Sequence, residues 1–113
     1  MPSTQLTGRR LEYAVRRKLK SVGFVVFRCA GSRPVDLVAF RDGKILLVEC
    51  KTGLNPRLPE PQAKRILDIA EEIQALFLLT IRKKHRGIKW YHVTKQGLTQ
   101  TSPPVPLRNN GGK

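Results

Sequence analysis

The sequence predicts an α/β domain, a mixed sheet flanked by helices in the order α-β-β-β-α-β-β and three layers deep. Three observations predict it. Apolar residues recur at three- and four-residue spacing over residues 5–22 and 61–74, as on the buried face of a helix. Between these stretches two apolar runs meet at Asp42-Gly43, a dipeptide suited to a tight hairpin. After the second stretch, residues 75–81 are continuously apolar, the pattern of a strand buried on both faces.

The first helix is capped by Ser3-Thr4, buries Leu11, Ala14, Val15, Leu19 and Val22, and ends at Gly23. At about 100° per residue, Glu12 falls on the flank of that stripe beside Gly8, with Arg9, Arg16 and Lys20 continuing outward on the same side. Pairing of Glu12 with Arg9 or Arg16 one turn away is the plain alternative to a functional role. A short strand over 24–29, interrupted by Arg28, leads into the small-residue loop Ala30-Gly31-Ser32-Arg33-Pro34. The hairpin follows, then a Pro- and Gly-containing loop over 52–61. Pro61 suits the first turn of the second helix, whose buried face is Ile66, Ile69, Ala70 and Ile73. Gln62 reads there as an exposed polar residue of the first turn. A basic turn, 82–87, separates the two last strands, 75–81 and 88–93. Residues 1–95 form one domain, and 96–113, rich in Pro, Asn and Gly, form an extended tail.

A formal charge of +14 on 113 residues is a large self-repulsion, of the kind a polyanionic partner makes tolerable. Within the first 35 residues Glu12 is the sole acid among eight Lys and Arg. Cys29 and Cys50 belong to no zinc-like spacing and read as reduced core thiols. There is no run of roughly 18 apolar residues and no signal-peptide pattern, so the expectation is a cytoplasmic protein without membrane contact.

The hairpin carries the chemistry. In a two-residue turn at 42 and 43 the paired residue numbers sum to about 85, which sets Asp36 opposite Glu49. Glu49 and Lys51 share a strand face and Cys50 looks the other way. Two carboxylates and an ammonium thus meet at one end of an apolar hairpin. A rim salt bridge is the bland account; a divalent cation offsetting the carboxylate repulsion is the sharper one. Phosphodiester hydrolysis uses such a set, with carboxylates and the Cys50 carbonyl around Mg²⁺ and a lysine beside the attacking water.

The spacing D-(12 residues)-E-x-K resembles the signature of the PD-(D/E)xK superfamily, the restriction-endonuclease-like fold. Together with Gly8 and Glu12, the segments V-V-F-R-C-A-G-S-R-P-V-D-L-V-A-F and L-V-E-C-K resemble archaeal-type Holliday junction resolvases over about half the chain. The resemblance implies Glu12, Asp36, Glu49, Lys51 and Ser32 as catalytic residues. It implies Mg²⁺, or Mn²⁺ in its place, at Glu12, Asp36, Glu49 and the Cys50 carbonyl. Arg9, Arg10, Arg16, Arg28 and Arg33 are the expected DNA contacts. It further implies a homodimer acting on four-way junction DNA, with no small-molecule cofactor. Valine at 35 departs from the superfamily's proline, and Tyr13 stands where an arginine is common. The competing readings are a repair nuclease of the same fold acting on flaps or strand borders, and a non-catalytic basic nucleic-acid-binding protein.

Overall fold

The computed structural model describes residues 3–106, with side chains from Gly8 onward. Helix α1 (Ser3–Ser21) precedes strands β1 (Val25–Arg28), β2 (Leu37–Arg41) and β3 (Lys44–Gly53). Helix α2 (Glu60–Ile73) and strands β4 (Leu76–Lys83), β5 (Lys89–Thr94) and β6 (Gly97–Thr101) follow. The six strands form one sheet in sequential order, antiparallel throughout except for the β3–β4 pair, which α2 connects in parallel. The side-chain capping expected of Ser3-Thr4 falls outside the described residues.

Pleating sorts the apolar residues into two cores. Leu37, Ala39, Leu46 and Val48 point to one face and pack with Leu11, Val15 and Leu19 of α1. Val35, Leu47, Phe77 and Leu79 point to the other and pack with Ile66 and Ala70 of α2. The sheet is therefore the middle of three layers, as the expected α/β architecture requires.

The hairpin has the expected register. Leu37 pairs with Val48 and Arg41 with Lys44, so each pair sums to 85. Asp42 (φ 49°) and Gly43 (φ 78°) both adopt positive φ, the requirement of a type I′ turn. Asp tolerates this region better than most residues, and Gly adopts it freely.

One expectation is corrected. The stretch read as an extended tail from residue 96 begins with β6, which pairs with β5 from Thr94↔Gly97 to Trp90↔Thr101. The signal was missed because all five β6 residues are exposed and the strand is held by its backbone ladder, without an apolar alternation. Beyond it the chain remains attached: Arg41 Nη1 donates to the Val105 carbonyl at 2.8 Å and to the Val22 carbonyl at 2.7 Å. Its guanidinium lies 4.3 Å from the centre of the Phe24 ring. Truncation after Gln96 should lower stability by roughly 1–3 kcal/mol through the lost ladder, whereas truncation after Thr101, which keeps the ladder and loses the Arg41 to Val105 contact, should lower it less. Urea unfolding followed by the fluorescence of the single tryptophan, Trp90, measures both.

Candidate active site

The mouth of the hairpin lies just past the last β2–β3 ladder pair, where the side chains of Asp36 and Glu49 take over the bonding. The Asp36 N–H donates to Glu49 Oε1 at 3.1 Å, and the Cys50 N–H donates to Asp36 Oδ2 at 2.8 Å. Each carboxylate caps the opposite strand. Both residues are nearly excluded from water, Asp36 at 5% exposure and Glu49 at 2%. Burial, followed by the Asp36 charge, pushes the Glu49 carboxyl up to about 7, against the lowering influence of Lys51.

Lys51 stands 3.5 Å from Glu49 Oε2, at the wetter edge of the cluster. Gln62, in the first turn of α2, donates from Nε2 to Glu49 Oε2 at 2.5 Å and accepts from Lys51 Nζ at 3.2 Å. Gln62 is thus half buried against the acids and not the exposed polar residue expected of a first turn. Its proximity follows from the docking of α2 through Ile66, one turn further on, which only the assembled helix–sheet packing specifies.

A cleft of ≈ 740 Å³ opens on this cluster, lined by Ser32, Arg33, Asp36, Glu49, Lys51, Gln62 and Arg65 among others. The 3₁₀ turn Ala30–Ser32 supplies its rim, with Ser32 at φ 55°. Arg33 and Ser32, both expected at the site, are therefore beside the acids, and both are exposed.

Glu12 is arranged differently from the expectation. Its carboxylate accepts from Arg28 Nε at 2.9 Å and lines a neighbouring cavity of ≈ 360 Å³ with Arg9, Arg10, Tyr13, Arg16 and Arg28. Among the described residues no three acids, histidines or cysteines lie close enough to share an ion, so Glu12 is not joined to Asp36 and Glu49. The Arg28 guanidinium, brought from β1, takes up the Glu12 carboxylate instead. Neither Arg9 nor Arg16, the partners proposed for it on the helix, takes that place. Arg16 retains a buried Nε without an acceptor, a donor left unspent in the same basic cavity.

Both cysteines are free. Burial raises the thiol pKa of each, most for Cys50, which packs toward the α1 core with its side chain away from the cleft. Both are partly buried and pack against the hydrophobic cores, in keeping with the expectation of core thiols. No helix of the described residues is long and apolar enough to cross a membrane.

An α1–sheet–α2 sandwich whose central hairpin ends in D…E-x-K is consistent with the restriction-endonuclease-like fold. Within that fold class the chain belongs to the archaeal Holliday junction resolvase (Hjc) family, whose model matches residues 3–103. It is 49% identical over 46 residues to a crossover junction endodeoxyribonuclease Hjc of Methanocaldococcus jannaschii. That match covers 41% of this chain and about a third, 35%, of the curated relative. Its fold is similar to that of Archaeoglobus fulgidus Hjc, a Holliday junction resolvase from an archaeal hyperthermophile, with a TM-score of 0.63. The likeness covers 81% of each chain at 19% identity.

The raised Glu49 pKa has a sign that can be tested. The folded state holds the Glu49 proton more tightly than the unfolded chain, so the protein loses stability as pH rises from about 4.5 through about 7. The metal-free wild-type protein should therefore lose roughly 1–3 kcal/mol between pH 5 and pH 8, a loss that Glu49→Gln, with no titrating group at this position, should not share. Thermal melts of both proteins at the two pH values, in chelator, give the comparison. A difference independent of pH would contradict the assignment of the charge cost to Glu49.

Proposed function

We propose that this protein is a cytoplasmic, structure-selective endonuclease that resolves four-way DNA junctions by paired, metal-dependent phosphodiester hydrolysis. The observation that carries this reading is the interlocked pair Asp36 and Glu49 beside Lys51, set in a cleft next to a cavity of arginines. Membership of the junction-resolvase family and the name of the curated relative support it.

The donor set fits a hard divalent cation. Its carboxylate groups are buried side by side, that of Glu49 held above its ordinary pKa first by burial and then by the Asp36 charge, and a backbone carbonyl, that of Cys50, lies between Glu49 and Lys51 in the chain. Asp36, Glu49 and the Cys50 carbonyl would hold Mg²⁺, with Mn²⁺ able to substitute. When bound, the ion supplies Lewis acidity toward the phosphate oxygens and a water of lowered pKa. Lys51 orients the attacking water from the open edge of the cluster. A bond forms between the water oxygen and phosphorus as the bond to the deoxyribose oxygen breaks; the attacking water gives its proton to solvent and the leaving alkoxide takes one up from solvent. Arg28, half exposed, and Arg9, Arg10, Arg16 and Arg33 hold backbone phosphates, contacts that fix position without reading bases. Ser32 hydrogen-bonds the phosphate from the cleft rim.

Paired cuts call for two active sites, which a homodimer provides. The α2-side face of the sheet supports a surface for it. α2 packs over β4 and β5, leaving Val25, Phe27 and Phe40 of β1 and β2 more than a third exposed on that face. Phe27 and Phe40 meet edge-on, with ring centres 6.0 Å apart. An uncovered apolar patch on so charged a chain suits a second copy of itself.

With Mg²⁺, a mobile synthetic junction should yield symmetric paired nicks while linear duplex is spared; chelator should stop the reaction and Mn²⁺ restore it. Equal rates on duplex, or preference for a flap, would remove junction selectivity. Lys51→Ala and Asp36→Asn should slow cutting by at least about a hundredfold with junction binding retained in a mobility-shift assay. Phe27→Asp should convert the dimer to a monomer by light scattering and uncouple the two nicks. A wild-type protein that runs as a monomer at micromolar concentration would dispose of the dimer.

A further inference from the structure

Gln62 occupies a position that neither capping nor surface solvation explains. Helix α2 has no side-chain cap, so the amide is not satisfying the helix end. It is half buried and turned to the sheet, where its two ends meet two different charged groups. Those ends are not interchangeable. The Lys51 ammonium only donates, so the amide oxygen must face it; an ionised Glu49 only accepts, so the amide nitrogen must face that side.

We infer that Gln62 is a positioning residue of the hydrolytic centre, holding Glu49 and Lys51 as one hydrogen-bonded unit through its bridging amide. The inference rests on the nuclease reading above and deepens it. Lys51 Nζ lies closer to the Gln62 oxygen, 3.2 Å, than to Glu49 Oε2, 3.5 Å. The ammonium is thus shared with the amide and kept from a tight ion pair that would take up the carboxylate. At the same time the Nε2 donor fixes the rotation of the Glu49 carboxylate, whose other oxygen already accepts from the Asp36 N–H. Four groups, from β3, the residue just before β2 and helix α2, become a single rigid set. Ile66, one helical turn on and 2% exposed, anchors the helix that carries the amide.

An amide is the side chain this role requires. Methionine at 62 matches its length but offers neither donor nor acceptor, freeing Lys51 to close on Glu49. Glutamate at 62 still accepts from Lys51 but adds a third negative charge and cannot donate to an ionised Glu49.

The test compares wild type, Gln62→Met and Gln62→Glu in three measurements. These are Mg²⁺ affinity of the DNA-free protein by calorimetry, junction affinity in Ca²⁺, and single-turnover cleavage in Mg²⁺ at saturating junction. Gln62→Met should weaken Mg²⁺ binding and slow cleavage each by about 10- to 100-fold, with junction affinity and melting temperature close to wild type. Gln62→Glu should bind Mg²⁺ more tightly than Gln62→Met, through its added carboxylate, while cutting remains slow. Wild-type Mg²⁺ affinity and cleavage in Gln62→Met would overturn the inference. So would parallel losses of melting temperature and junction binding, which would mark Gln62 as a fold-supporting contact only. Should the wild-type protein itself not cut junctions, the nuclease reading fails, and the calorimetric comparison still decides whether Gln62 organises the Glu49 and Lys51 pair.

Discussion

The structure depends on a pair of crossed hydrogen bonds at the mouth of one hairpin. Where the β2–β3 ladder stops, the Asp36 N–H is taken by the Glu49 carboxylate and the Cys50 N–H by the Asp36 carboxylate. On its other side the Asp36 carbonyl accepts from the Cys29 N–H at 2.9 Å, so β1 also fixes this residue. A carboxylate held through both its backbone and its side-chain oxygens has little freedom to relax away from its neighbour. Register does the rest: a slip by one residue would send Asp36 and Glu49 to opposite faces and turn Leu47 and Val48 each into the wrong core. The two cores that enforce the fold therefore also enforce the meeting of the acids.

That enforcement works against stability. Two acids side by side, almost without water, raise the Glu49 pKa well above its ordinary range, and the nearby Lys51 only partly offsets this. Neutral side chains of similar shape in the same place would serve folding better. The surrounding groups do not remove the charges; they orient them. Asp36 and Glu49 bind each other's backbones, Gln62 bridges Glu49 and Lys51, and Thr80 donates to the Glu49 carbonyl at 3.3 Å. A costly and fully oriented cluster is the pattern expected of a functional site on a rigid scaffold.

What the sequence made legible is what short-range rules govern. The Asp42-Gly43 turn, the alternation on either side of it and the resulting meeting of 36, 49 and 51 all lie within 16 residues, and each follows from strand period and turn chemistry. The stripe of α1 and the buried run of β4 follow from periodicity in the same way. Three things were hidden because they depend on how separate elements dock. Gln62 lies eleven residues beyond Lys51 in the chain, and its role becomes visible once α2 is seated through Ile66 and Ala70. Strand β6 carries no apolar alternation and exists by pairing with β5. Glu12 is legible as the lone acid of a basic segment, for which helix spacing alone offers Arg9 or Arg16 as partners, whereas the assembled structure brings Arg28 from β1.

Charge also separates the surfaces. Helix α1 carries six basic residues and one acid, while α2 carries four acids and two basic residues. Half of the eight acids in the chain are therefore on α2, across the sheet from α1. A polyanion is drawn to α1 and its arginine-lined cavity and is repelled by the outer surface of α2. The exposed apolar residues Val25, Phe27 and Phe40 lie on the α2 side, the side on which the cleft of Glu49, Lys51 and Gln62 opens, so in the proposed dimer the partner subunit covers β1 and β2 while DNA reaches the cleft beside α2. Two copies each bearing a formal charge of +14 repel one another, and the repulsion is least where acids offset the basic residues. In the proposed dimer, pairing through the α2 side is thus favoured twice, by the apolar area it removes from water and by the field it avoids, and it leaves the basic helix α1 of each subunit uncovered.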